Sequence, residues 1–107
     1  MASTPEGLVK KQVRKILDAN GVYNRQPVTG GYGHSGQLDF YCSLPPHGKF
    51  LGIETKSIKS SHGVTALQQR EIDSILASGG LALVINEDNI HQLQEVIDHE
   101  KAQHKRG

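Results

Sequence analysis

The strongest constraint on this chain is a pair of strand-like segments closed by one turn. Gly36-Gln37-Leu38-Asp39-Phe40-Tyr41-Cys42 and Lys49-Phe50-Leu51-Gly52-Ile53-Glu54-Thr55-Lys56 flank a Pro45-Pro46-His47-Gly48 turn. Aromatic and β-branched residues bounded by Pro and Gly predict a hairpin. Successive strand side chains point to opposite faces, so Glu54 and Lys56 share one face while Ile53 and Thr55 take the other. Leu51 and Ile53 can then dock on a helix, leaving Glu54, Lys56 and, from the first strand, Asp39 in a cleft. Two carboxylates and an ammonium make a poor core. They suit a hard divalent cation beside an activated water. The plain alternative is a surface salt bridge between Glu54 and Lys56, worth ~0–1 kcal/mol.

Helices and strands alternate around this hairpin. Ser3-Thr4-Pro5-Glu6 has the oxygen-bearing cap and first-turn proline of a helix start. Val9, Val13, Ile16 and Leu17 follow at helical spacing, and Asn20-Gly21 ends the helix. Glu6 lies two turns before Val13 on the inward side. It either closes a capping box with Ser3 or reaches a site at the sheet. Val22 to Val28 reads as a first strand, near an edge because of Pro27. In the loop after it, Gly31, Gly33 and Gly36 match G-x-G-x-x-G, but a dinucleotide site needs a helix after the last glycine. Strand composition follows instead. The loop is better read as small residues that let a sugar-phosphate backbone approach closely.

Residues 57–63 are polar and expected to be a mobile connection. Thr65 caps a second helix reaching about Ser78, with Leu67, Ile72, Ile75 and Leu76 as its apolar side. Gln68 falls on that same stripe, where an unpartnered amide costs about 1–3 kcal/mol. It must satisfy a backbone group or face the cleft beside Lys56. Leu81 to Ile85 has the continuous apolar character of a strand buried on both faces. Asp88 is expected to cap a last helix with Ile90, Leu93, Val96 and Ile97 inward, fraying after His99. Residues 1–107 thus read as a single α/β (α+β) domain, a mixed central sheet flanked by helices in the order αβββαβα.

Composition removes several other classes. The formal charge is only +1, so any anion-binding surface must come from local clustering. A single cysteine, Cys42, excludes an intramolecular disulfide and a multi-cysteine zinc site. His34, His47 and His62 match no ligand spacing. No apolar run approaches the ~18 residues of a membrane span and the N-terminus lacks a signal-peptide core. The expectation is a soluble, intracellular (cytoplasmic) protein with no membrane partner.

With Gly36-Gln37-Leu38-Asp39 upstream of Glu54-Thr55-Lys56, the sequence resembles the PD-(D/E)XK nuclease superfamily, Leu38 standing where the name has Pro. More narrowly it is similar to small stand-alone, phage-type VRR-NUC (virus-type replication-repair nuclease) domains. These have a Glu in the first helix, a strand Asp, an E-x-K strand, and a Gln-bearing helix before Gly-Gly and an apolar strand. Glu6, Asp39, Glu54, Lys56 and Gln68 occupy those places. The resemblance implies a restriction-endonuclease-like fold and Mg²⁺- or Mn²⁺-dependent hydrolysis of DNA. Asp39, Glu54 and the Thr55 carbonyl would ligate metal, Glu6 assisting directly or through water. Lys56 would stand at the nucleophilic water, and Gln68 would steady Lys56 or a phosphate. It further implies a homodimer acting on four-way or other branched DNA, acting in a bacterial host if phage-encoded. Gly31, Tyr32, Gly33, His34, Lys59 and His62 would face phosphates. A non-catalytic DNA-binding module of the same fold is the competing expectation, and a nucleotide-binding domain using the glycine loop a third.

Overall fold

In the computed structural model, which describes residues 4–28 and 36–103, the first helix starts at Thr4. Its hydroxyl accepts the Gly7 N–H at 2.9 Å, and Pro5 sits in the first turn, where its missing N–H costs nothing. The cap is thus Thr4, and a capping box closed by Glu6 is not how this helix begins. Helix α1 (Pro5–Ala19) buries Val9, Val13 and Leu17. Then come β1 (Tyr23–Arg25), β2 (Phe40–Leu44), β3 (Lys49–Thr55), α2 (Ala66–Ala77), β4 (Leu81–Ile85) and α3 (His91–Ala102), the expected order αβββαβα.

The sheet runs β1-β2-β3-β4. The first two pairings are antiparallel, whereas β3 and β4 are parallel, Glu54 standing opposite Val84. A parallel neighbour demands a crossover, and α2 supplies it. The face carrying Phe40, Leu51 and Ile53 packs against α1 and α3 to form the larger core. On the other face α2 lays Ile72 and Ile75 over Leu38. It comes down close because Gly52 has no side chain: a Cβ there would lie 2.7 Å from Ile75 Cδ1 and 2.8 Å from Leu38 Cδ1. Gly36 does the same for the chain entering β2, since a Cβ would lie 2.3 Å from the Leu67 carbonyl oxygen. The Gly36 approach holds the start of α2 beside the chain that leads to Asp39, and the Gly52 approach seats the later turns of α2 on the sheet.

Several local expectations are corrected. β1 covers three residues rather than Val22 to Val28, and Asp39 lies just before β2 rather than within it. β4 lies at the edge of the sheet, where both its faces meet a core as expected but only Ile85 is fully buried. Its unbroken apolar run arises because Leu81 and Leu83 meet the larger core and Ala82 the smaller, while Val84 is 36% exposed. On α2, Leu67 and Leu76 are exposed and only Ile72 and Ile75 are buried. Before α3, Ile90 holds the cap position with no side-chain hydrogen bond, so Asp88 does not cap. There Asn86 and Asn89 organise the turn, Asn86 Oδ1 accepting the N–H groups of Asp88 (2.8 Å) and Asn89 (3.0 Å). Among the described residues no helix is long and apolar enough to cross a membrane.

Candidate active site

The ends of β2 and β3 meet the first turns of α1 and α2, and there the acidic residues converge. Asp39 is fixed by the strand beside it. Its Oδ2 accepts the Thr55 N–H at 2.9 Å and the Thr55 hydroxyl at 2.5 Å. Its Oδ1 faces the Lys10 ammonium at 3.3 Å. Lys56 N–H bonds the Ile85 carbonyl in the parallel ladder, so the neighbouring Thr55 turns its N–H, and with it its carbonyl, to the opposite edge, where Asp39 lies.

Glu54 is 2% exposed. Its Oε2 accepts from Gln68 Nε2 at 2.9 Å and lies 3.3 Å from Lys56 Nζ. Its Oε1 is buried with no hydrogen-bond partner among the described residues. Burial, then the nearby charge of Asp39, pushes this carboxyl up to about 6, against the pull of Lys56. Glu6 acts in the same direction from α1, so it stands near the pair, on the rim of a cavity of about 180 Å³ shared with Lys59. It does not join a tight cluster: among the described residues no three His, Cys, Asp or Glu side chains gather closely enough to hold a metal ion.

Gln68 serves both roles weighed for it. Its Oε1 accepts the Thr65 N–H at 3.1 Å, and Thr65 Oγ1 accepts the Gln68 N–H at 3.1 Å, closing a capping box. Its Nε2 is left to point at Glu54. One amide starts α2 and holds the acid.

Three contacts have no counterpart in the sequence reading. Lys10 pairs with Asp39; its spacing of four from Glu6, one turn along the same helix face, was the available signal. Tyr41 donates to Glu71 on α2 at 2.5 Å and accepts the Leu38 N–H at 3.1 Å, tying the chain beside Asp39 to the helix. Ser57, only 6% exposed, donates to Glu87 at 2.6 Å, and Glu87 also accepts the Ile58 N–H at 2.8 Å. The segment expected to be a mobile connection is therefore anchored at its start to the β4–α3 turn. Lys59 and His62 are exposed on it, whereas Gly31, Tyr32, Gly33 and His34 fall outside the described residues.

A solved structure titled "VRR_NUC domain" matches the chain with a TM-score of 0.68 at 26% identity, covering 91% of this chain and 98% of that one. Over nearly its whole length the chain resembles a VRR-NUC domain. That likeness supports a restriction-endonuclease-like fold of the PD-(D/E)XK kind and a nuclease-type domain. No family model matches the sequence, and no curated protein matches it significantly. Strand pairing and helix docking tolerate many sequences, which is how a shared backbone can accompany 26% identity.

Proposed function

We propose that this chain is a VRR-NUC domain and a divalent-metal-dependent endodeoxyribonuclease that hydrolyses phosphodiester bonds in branched DNA, four-way junctions included, as a homodimer. The observation that carries the proposal is the bare Oε1 of Glu54. A buried acid is costly to ionise, and a buried acceptor without a donor is costlier still. Asp39 adds to the cost by repelling the same charge, and Lys56 offsets only part of it, so the carboxyl stays raised. A hard cation relieves both penalties at once, so the donor set fits one. PD-(D/E)XK nucleases generally use divalent metals.

The residues that would hold Mg²⁺ or Mn²⁺ are Asp39 through Oδ1, Glu54 through Oε1, and the Thr55 carbonyl, with waters and substrate completing the set. Glu6, outside the pair, would act on that set through water. The ion supplies Lewis acidity toward the phosphodiester and lowers the pKa of a water. Lys56, held against Glu54, would orient the attacking water and offset negative charge as the phosphorus centre becomes crowded. Gln68 keeps Glu54 from swinging away. Lys59 and His62 would meet phosphates on the DNA side, contacts that read shape rather than base sequence. Gly31 to His34 would extend that surface. Twofold symmetry suits a junction, because one site cuts one strand and a junction offers two equivalent strands.

The test is cleavage of labelled four-way junction, duplex and single-stranded DNA with Mn²⁺, Mg²⁺ or EDTA, beside Glu54→Gln and Asp39→Asn. Metal-dependent cutting of the junction, lost in both variants, is expected. Equal cutting by wild type and variants would refute the assignment, and binding without cutting under either metal would make the domain an accessory module.

A further inference from the structure

Each acid of the pair has one oxygen committed to the fold and one turned elsewhere. At Asp39 the committed oxygen is Oδ2, saturated by the Thr55 N–H and hydroxyl. At Glu54 it is Oε2, held by Gln68 and Lys56. The remaining two oxygens are not equivalent. Glu54 Oε1 is bare, whereas Asp39 Oδ1 already has the Lys10 ammonium at 3.3 Å. The two lysines differ as well. Lys56 has a side chain only 18% exposed and lies against a buried acid, while Lys10 is 37% exposed on the surface of α1.

We infer that Lys10 is a displaceable place-holder: it occupies the cation-facing oxygen of Asp39, leaves when a divalent cation arrives, and then binds a DNA phosphate. The inference rests on the metal-dependent reading above and adds a coupling to it. An ammonium and a divalent cation at one carboxylate oxygen repel each other, and that repulsion favours release of the ammonium. Lys10 can go because its flexible stem already reaches solvent, where a compact ammonium is strongly hydrated. The anion brought to this cleft by the substrate is a phosphate, which gives the displaced charge a new partner. Metal and DNA then strengthen each other's binding, and by linkage they do so equally.

The experiment compares wild type with Lys10→Met and Lys10→Gln. Position 10 is partly exposed, and thermal melts confirm that each variant folds. Mn²⁺ affinity is measured on DNA-free protein by electron paramagnetic resonance. Binding of a phosphorothioate four-way junction that resists cleavage is then measured by fluorescence anisotropy with and without Mn²⁺. Both variants are expected to bind Mn²⁺ about three- to tenfold more tightly without DNA, the gain from deleting a competing charge. They should also lose a similar factor from the Mn²⁺-induced gain in junction affinity. Unchanged or weaker Mn²⁺ binding in both variants overturns the place-holder role. Tighter Mn²⁺ binding with the DNA coupling intact overturns the transfer to phosphate. If wild type itself takes up no Mn²⁺, the metal-dependent reading falls and this inference falls with it.

Discussion

Replacing Glu54 by Gln should stabilise the metal-free protein at neutral pH, although it removes an acid from the candidate site. The carboxyl is raised from its ordinary 4.5 to about 6 by burial and by Asp39. That gap of ~1.5 pH units corresponds to ~2 kcal/mol at 1.36 kcal/mol per unit. The folded state binds this proton more tightly than the unfolded chain does. The resulting stability is therefore fully present below pH 4.5, declines as pH rises, and is gone above about 6. Glutamine resembles the protonated acid and does not titrate. The two proteins should be about equally stable at pH 4, while at pH 7.5 in EDTA the variant should lead by ~2 kcal/mol, or on the order of 10 °C in Tm. Urea unfolding followed by circular dichroism across this range reads the difference directly. Groups remote from position 54 titrate alike in both proteins and cancel. Saturating Mn²⁺ should then reverse the order, since a ligand at 100 times its Kd adds about 2.7 kcal/mol to the protein that binds it. A variant no more stable than wild type at pH 7.5 would refute the reasoning, because Glu54 would then not be held against its preferred charge state.

Other positions test the framework that carries the site. Gly52→Ala should cost about 1–3 kcal/mol by forcing Ile75 and Leu38 apart, read as a lower urea midpoint. Gly36→Ala puts a methyl against backbone rather than a side chain, so it should lower the midpoint and weaken metal binding together. Tyr41→Phe removes the donor to Glu71 and the acceptor for the Leu38 N–H, costing about 1–3 kcal/mol without changing the core volume. Cys42 is 2% exposed and burial pushes its thiol up to about 12, so a thiol reagent at pH 8 should react only as fast as the domain unfolds.

The parts of this molecule legible in its sequence are those governed by local periodicity. The helical stripe of α1, the alternation in β3 and the Pro-Gly turn before it each reveal an element directly. The pairing of Glu54 with Lys56 follows from the strand period alone. Gln68 was visible as a polar residue on an apolar stripe, but its two hydrogen bonds depend on where α2 docks, which periodicity does not encode. Lys10 reaches Asp39 across 29 positions of sequence, and Ser57 reaches Glu87 across 30, so the helical spacing of Lys10 from Glu6 places it on a face but names neither partner. The edge position of β4 was hidden for a related reason. Its apolar run reports contact with cores on both faces and says nothing of the missing neighbour at its side.

The acid pair has no local scaffold of its own. Asp39 is steadied from residue 55, Glu54 from residue 68, and a lysine from residue 10 completes the arrangement. A chain that has made its first helix and hairpin but not yet closed α2 onto Gly52 would own every required side chain and still lack a working centre. Whatever chemistry the pair supports is therefore a property of the closed tertiary structure and of no single segment within it.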